Sequence, residues 1–396
     1  MKIDGSKVQL EISNNIIEID GNSQDLRFNF NSPPWPSVLS NDYNKVTPRL
    51  NDDQFINFGN LTIDTKSSHL SIRDVIDINF TYSTNWTRLL IRHDMDYLYG
   101  LGEKNGGLNK SGRKWKFWNI DNASFETNHD PLYKSYPILI MSNKDTWIAL
   151  ILDYPGFQSW DLEKSNLIQI DLESRKFIMH ILISNNPKSL SKSITRLLGQ
   201  MELPPLWALG YHQSRWSYNS KSEVLRIAQT LREKKIPCDA IYLDIDYMDE
   251  YKCFTWDEEN FGNLPELITE LHKMDFKVIP MIDPGIKVDE SYNVYTEGRE
   301  NGYFCQLEGE EYQDKVWPGL CAFPDFFRED VREWWKHKYQ EFVDIGVDGF
   351  FNDMNEVSTF NLRGTMPDKV KHKINNQQID HYKVHNLYSQ QMAKAS

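Results

Sequence analysis

Long hydrophobic runs are missing from this sequence. The longest apolar stretches, 137–141 and 147–152, fall far short of the ~18 residues a membrane-spanning helix needs. The opening Met1-Lys-Ile-Asp-Gly-Ser-Lys-Val8 has no apolar core, so no signal peptide is expected. Cysteine is scarce: Cys238, Cys253, Cys305 and Cys321 are unevenly spaced and form neither a disulfide framework nor a CxxC pair. A reducing, cytoplasmic setting is expected. The sequons at Asn60, Asn79, Asn85, Asn109 and Asn122 then read as chance in an Asn-rich chain. Basic residues are outnumbered, 44 Lys and Arg against 57 Asp and Glu, for a net charge of −13. Such a surface repels phosphates and anionic lipid heads, which excludes nucleic acid and membranes as expected partners. No Gly-rich loop follows any predicted strand, so a nucleotide site is not expected either.

What the chain does have is an ordinary globular mixture, 40% hydrophobic and 26% charged, over 396 residues. That length suits two or three domains. Its 12 Trp, 19 Tyr and 20 Phe could stack sugar rings, although a large core uses as many.

Two grammars divide the chain. Up to about residue 185, short runs alternate with Asn, Asp, Gly and Ser. Examples are Val8-Gln-Leu-Glu-Ile, Ile16-Ile-Glu-Ile, Phe55-Ile-Asn-Phe, Leu61-Thr-Ile, Val75-Ile-Asp-Ile-Asn-Phe and Leu89-Leu-Ile. Ile138-Leu-Ile-Met, Trp147-Ile-Ala-Leu-Ile-Leu, Leu167-Ile-Gln-Ile-Asp-Leu and Phe177-Ile-Met-His-Ile-Leu-Ile continue the series. Period-two and fully apolar runs of this length predict an antiparallel β-sandwich over 1–186. Leu190, Ile194, Leu197 and Leu198 then fall at helical spacing, and Pro204-Pro205 ends that helical linker, 187–205.

From Leu206 strands and helices alternate, which predicts a parallel sheet over 206–396. Leu206-Trp-Ala-Leu-Gly-Tyr, Ala240-Ile-Tyr-Leu-Asp-Ile, Val278-Ile-Pro-Met-Ile and Val347-Asp-Gly-Phe-Phe read as its strands. Ser220-x-x-Glu223 is a capping box, Pro265 suits a first helical turn, further helices are expected over 328–343 and from near His381. These make about four βα units, where a (β/α)8 barrel has eight in about 250 residues. The expectation is a multi-domain chain: an N-terminal antiparallel β-sandwich, then the first half of a (β/α)8 TIM barrel. A small open α/β sheet is the other possibility.

In parallel α/β folds ligands meet the C-terminal ends of the strands. Here those ends carry Gln213-Ser-Arg-Trp216, Asp244-Ile-Asp246, Met281-Ile-Asp283 and Asn352-Asp353-Met-Asn-Glu356. Three of the four finish in carboxylates. Asp244 and Asp246 are two apart, as are Asp353 and Asn355, and on a strand each pair would share a face. Crowded carboxylates separate one another's pKa values, which divides acid from base roles. A lone strand-end Asp is more often a cap or turn, and Asp283-Pro reads most simply that way. Asp244-x-Asp246 could also hold a divalent metal in a glycosyltransferase. Trp216 and Trp317 are core residues by default. Asp353-Met-Asn-Glu356 is harder to set aside, with an amide and a second acid within three residues.

At these residues the sequence resembles the family 31 glycoside hydrolases, the α-glucosidase family. Tyr99-Gly-Leu-Gly-Glu103 resembles the signature of that family's sandwich, and Pro204-Pro-Leu-Trp-Ala-Leu-Gly-Tyr its first barrel strand. Asp244-Ile-Asp-Tyr-Met248 with Phe254-Thr-Trp-Asp257, then Val278-Ile-Pro-Met-Ile-Asp-Pro-Gly-Ile, resemble the second and third. Val316-Trp-Pro-Gly319 and Phe323-Pro-Asp-Phe are similar to the loop before the fourth. Gly349-Phe-Phe-Asn-Asp-Met-Asn-Glu356 resembles the nucleophile signature, and His385-Asn-Leu-Tyr388 the segment after it.

The resemblance implies a retaining α-glucosidase acting on α-glucoside oligosaccharides. Asp353 would be its nucleophile and Glu356 a supporting acid. Asp244 would hold the sugar's 4-hydroxyl. Ile245, Met281 and Phe351 would form apolar walls, with Asp283 a further polar position and Trp216 and Trp317 the aromatic lining. Asp121 would be lent by the sandwich. No metal or organic cofactor is implied. Two departures stand out. Phe351 replaces a frequent Trp, and the family's general acid/base follows a later strand than this chain contains. The sequence is then expected to be the N-terminal portion of such an enzyme, as a fragment or the product of a truncated or split gene, or to pair with a second chain that supplies the rest of the barrel or with another copy of itself. An α-xylosidase, a non-catalytic carbohydrate-binding or assembly chain, and a metal-dependent glycosyltransferase are the competing readings.

Overall fold

A computed structural model describes residues 2–4, 7–12, 15–21, 25–31, 33–35, 39, 49–51, 55–58, 61–66, 69–72, 76–122 and 124–396. Val75, the sequon residue Asn60 and Ala123 lie outside them. The chain divides into two compact units, residues 1–201 with 382–386, and residues 202–381 with 387–396.

The first unit is an antiparallel sandwich. One sheet runs, in spatial order, Lys2–Asp4, Lys7–Ile12, Asn15–Gly21, Asp25–Phe30, Phe177–Ser184, Trp147–Asp153, Ile138–Ser142, Tyr97–Gly100. The other runs Lys114–Phe117, Gln158–Lys164, Leu167–Leu172, Thr87–His93, Ile76–Tyr82, His69–Ile72, Leu61–Lys66, Phe55–Phe58, Arg49–Asn51. Alternation in sequence becomes alternation in burial. In Ile76–Tyr82, Ile76, Ile78 and Phe80 are buried while Asp77 and Asn79 are only half so. Phe30 of the first sheet lies 5.2 Å from Phe80 of the second and stacks at 4.1 Å on Phe177. Such ring contacts, with fully buried Trp115 and Trp160, fill the space between the sheets.

The predicted helix forms over Pro187–Leu198. Asn186 caps it, its Oδ1 accepting from Ser189 N–H at 2.9 Å. Leu190 and Leu197 bury against Ala149, Ile151 and Leu182, so the helix covers the outer face of the first sheet. Residues 382–386 belong to this same unit. His385 stacks on Trp118 at 3.7 Å, and Asn119 N–H donates to Asn386 Oδ1 at 2.8 Å.

The second unit is half of a (β/α)8 barrel. Its parallel strands are β1 (His212–Gln213), β2 (Ala240–Leu243), β3 (Lys277–Ile282) and β4 (Phe351–Asn352), in that spatial order. Between and after them come α1 (Lys221–Glu233), α2 (Leu264–Lys273), α3 (Glu329–Asp344) and α4 (Tyr388–Ala395). The capping box closes as expected: Ser220 Oγ accepts from Glu223 N–H at 3.2 Å. The returning carboxylate of Glu223 differs from the usual box, accepting at 3.1 Å from Asn219 N–H, one residue before the Ser220 cap. Pro265 sits in the first turn of α2, whose Leu264, Leu267, Ile268 and Leu271 are buried. Asp348 ties β4 to β3, accepting from Lys277 Nζ at 2.7 Å and Val278 N–H at 3.0 Å.

Three expectations need correction. Leu206–Leu209 is a 3₁₀ turn, not a buried strand, with Leu206 and Leu209 exposed; Pro205 and Gly210 close it through turn hydrogen bonds. Strand pairing starts only at His212. Secondly, Val347-Asp-Gly-Phe-Phe contributes only Phe351 to β4. Thirdly, the region from His381 begins as two 3₁₀ turns, and its helix starts at Tyr388. No strand or helix is predicted over 284–327 or 357–380. They contain two small antiparallel sheets, Ile286–Lys287/Gly319–Ala322/Gln313–Val316 and Glu310–Glu311/Gln306–Leu307/Lys371–Ile374/Gln377–Asp380.

Candidate active site

The site is made at the C-terminal ends of β2, β3 and β4. Register places it: Met281 of β3 pairs with Phe351 of β4, and Ile282 with Asn352. The next residues along are Asp283 and Asp353, and Asp353 N–H donates to Ile282 O at 3.1 Å. Backbone hydrogen bonding thus carries two carboxylates to the same height on adjacent strands.

Asp283 is buried, 3% exposed, and its Oδ1 has no hydrogen-bond partner. Burial holds its carboxyl well above the ordinary carboxylate range. The negative charges of Asp353, Asp244 and Glu356 push it further the same way. Asp244, half-buried at the end of β2, is also raised, by burial first and then by Asp353 and Asp246. Four acids therefore share one field, and the most buried of them is the one driven to keep its proton. Both acids with a resolved shift, Asp283 and Asp244, move upward.

The strand-face argument for the pairs does not hold. β2 ends at Leu243, and Asp244 instead caps a 3₁₀ turn, Ile245–Tyr247, accepting from Ile245 N–H at 2.7 Å. Asp246 is turned to Tyr251, whose hydroxyl donates to it at 3.1 Å. Asp353 and Asn355 do not share a face either, because Met354 between them has φ of 54° and reverses the chain. Met354 N–H donates to Asp353 Oδ1 at 2.9 Å, fixing that carboxylate at the turn. Glu356 Oε2 accepts from Ser358 Oγ at 3.0 Å.

The apolar positions Ile245, Met281 and Phe351 lie within two residues of these acids in sequence. Ile245 and Met281 are buried, and the Met281 carbonyl accepts from Tyr247 Oη at 3.0 Å. Phe351 is 39% exposed and meets Tyr242 edge to face at 6.0 Å. Trp216 and Trp317 are not core residues: they stand exposed, 5.5 Å apart, and Phe360 extends the row 4.9 Å beyond Trp317. Asp121 is half-buried in the first unit, in the loop after Asn119.

Sequence reasoning missed three of these partners. Tyr242 lies two residues before Asp244 and was legible from strand period. Phe360 and Tyr251 sit on loops without periodicity, and nothing in the sequence marked them.

Comparisons with known proteins bear on both units. Residues 201–396 match the family profile "Glycosyl hydrolases family 31 TIM-barrel domain". Residues 4–161 match "Glycosyl hydrolase 31 N-terminal galactose mutarotase-like domain". The chain is 40% identical over 320 residues to alpha-glucosidase 2 of Bacillus thermoamyloliquefaciens, covering 80% of this chain and 41% of that protein. It is 30% identical to the alpha-glucosidase of Saccharolobus solfataricus, covering 80% of this chain and 49% of the relative. Its fold matches the GH31 dextranase of Flavobacterium johnsoniae complexed with glucose, with a TM-score of 0.89 at 24% identity. That match covers all of this chain and 51% of the dextranase. The chain thus spans less than half the length of these two curated relatives. With both domain types matched in order, and strand-end carboxylates where the fold gathers ligands, the chain belongs to the family 31 glycoside hydrolases.

Proposed function

We propose that this chain carries the nucleophile half of a retaining α-glucosidase that releases terminal glucose from α-linked oligosaccharides. One observation carries the reading: Asp353 is fixed at a strand-end turn beside a buried Asp283 and a capping Asp244. Asp353 attacks the anomeric carbon as the bond to the leaving oxygen breaks, giving a glycosyl–Asp353 ester that water then hydrolyses. Asp244 accepts a hydrogen bond from a sugar hydroxyl. Ile245, Met281 and Phe351 enclose the ring, while Trp216 and Trp317 offer apolar faces to sugar rings. Glu356 adds negative charge that favours the oxocarbenium-like transition state. None of the residues at these four strand ends is assigned as the general acid/base. Four free, buried cysteines support a reducing, cytoplasmic setting.

The α-glucosidase relatives favour glucose over xylose as the substrate sugar. A glycosyltransferase using Asp244 and Asp246 as metal ligands is disfavoured, because Tyr251 already engages Asp246. The test is intact-mass analysis after incubation with 5-fluoro-α-D-glucosyl fluoride, whose fluoride departs with little help from a general acid. One glucosyl adduct per chain, mapped to Asp353 and absent in Asp353→Asn, is expected. Labelling only by the xylosyl analogue would make the sugar xylose. No adduct on a folded chain would favour a carbohydrate-binding or assembly role.

A further inference from the structure

A second polar cluster lies in the same unit, apart from the strand-end carboxylates. Cys305, Asp325 and His372 are each buried, at 1%, 4% and 0% exposure. Cys305 Sγ lies 3.6 Å from His372 Nδ1, which lies 3.0 Å from Asp325 Oδ1. Their three ligand atoms all fall within 4.8 Å of one another. A tetrahedral ion with bonds of about 2.3 Å to sulfur and about 2.0 Å to nitrogen needs an S···N edge of about 3.5 Å. The observed S···N edge meets that, while the 3.0 Å between His372 Nδ1 and Asp325 Oδ1 must open to the ~3.3 Å that two bonds of about 2.0 Å require.

We propose that Cys305, Asp325 and His372 form a binding site for a divalent, borderline-soft cation of the zinc class. Thiolate, imidazole and carboxylate together are a donor set that suits such an ion. Charge agrees: one thiolate and one carboxylate neutralise a dication, so the loaded site is electroneutral in an apolar interior. On binding, the ion takes the Cys305 sulfur lone pair, and the thiol proton leaves to solvent. A water molecule takes the fourth position.

The ligands are also held from behind. His372 Nε2 meets His381 Nδ1 at 2.8 Å, which fixes the ring, and Asp325 Oδ2 accepts from Lys373 N–H at 2.8 Å. Metal-binding histidines and carboxylates characteristically have such outer partners. The ligands come from three separate stretches. Cys305 precedes the short strand Gln306–Leu307, Asp325 precedes α3, and His372 lies in the hairpin Lys371–Ile374/Gln377–Asp380. The ion would pin that small sheet to the start of α3.

The probe is Co2+ added to chelator-treated, folded chain, followed by removal of free metal. We expect one bound ion per chain and a sulfur-to-cobalt charge-transfer band in the near ultraviolet. Cys305→Ser should lose the band with unchanged near-ultraviolet circular dichroism, the other three cysteines being intact. His381→Ala should keep the band and weaken binding about 10- to 100-fold. If Cys305→Ser fails to fold, Zn2+ content of the chain as purified decides, with one equivalent expected. No bound ion on a folded chain, or a band that survives Cys305→Ser, overturns the proposal.

Discussion

Asp283 shows how much chemistry one residue's surroundings can dictate. Its carboxyl is buried, has a partnerless oxygen and faces three other acids, so its folded pKa lies well above the ordinary value. Between those two pKa values the folded chain keeps a proton that the unfolded chain has lost. Stability is therefore highest at and below the ordinary carboxylate range and falls as pH rises toward the raised value, by about 1.4 kcal/mol per pH unit for one group. Asp283→Asn replaces the neutral acid with a neutral amide of the same shape. Urea melts from pH 4 to pH 8 should show a flatter pH dependence for the variant and no loss of stability at pH 7. An unchanged slope would mean that Asp283 is ionised in the folded chain.

Neighbouring acids report in a second way. Asp244 also sits above its ordinary range, from burial and then Asp353 and Asp246. Removing the Asp353 charge should lower Asp244 toward ordinary values. Carboxylate NMR titration of Asp353→Asn, with Asp244 followed by its side-chain carbon shift, should show a downward move. No move would mean that burial alone sets Asp244.

Among elements, helices with caps are the most legible part of the sequence. Ser220, Glu223 and Pro265 each predicted a helix start, and each start is where the hydrogen bonds lie. Ser220→Ala should cost about 1 kcal/mol in a denaturant melt, because Glu223 N–H loses its acceptor. A loss below a few tenths would mean that the Glu223 carboxylate carries the cap alone. Many strands of the sandwich are legible too, since a period-two pattern survives only where one face is buried. Gln158–Lys164 was missed because Gln158, Ser159, Asp161 and Glu163 hide the pattern. Gln158 is nonetheless buried, donating to Tyr154 O at 2.6 Å, so a polar residue plays a core part.

Barrel strands misled in the opposite direction. Apolar runs such as Leu206-Trp-Ala-Leu suggested burial where the chain makes an exposed turn. The strand-end acids were found because topology predicts where they should be. Their orientation was not, because Met354's positive φ and the 3₁₀ turn after Asp244 are backbone events without a composition signal.

At the scale of the whole molecule, the parallel sheet is open on both sides. Among the described residues β1 pairs with β2 alone and β4 with β3 alone. Unpaired edges of a parallel sheet are templates for further pairing, and Leu206, Leu209, Tyr211 and Phe351 are exposed on the same unit. The 396-residue polypeptide should associate, with sedimentation velocity shifting to faster species as concentration rises. A single monomeric boundary across a hundredfold range would show that the edges are silent.

Residues 382–386 add one more consequence. They follow most of the barrel in sequence, yet His385 stacks on Trp118 and Asn386 accepts from Asn119 within the sandwich unit. Asn386 N–H also donates to Pro155 O at 3.0 Å. The sandwich is thus a module that no single break in the gene can excise. Shuffling it between relatives, by recombination or by design, gives up these contacts unless a five-residue passenger encoded about 180 codons downstream travels too.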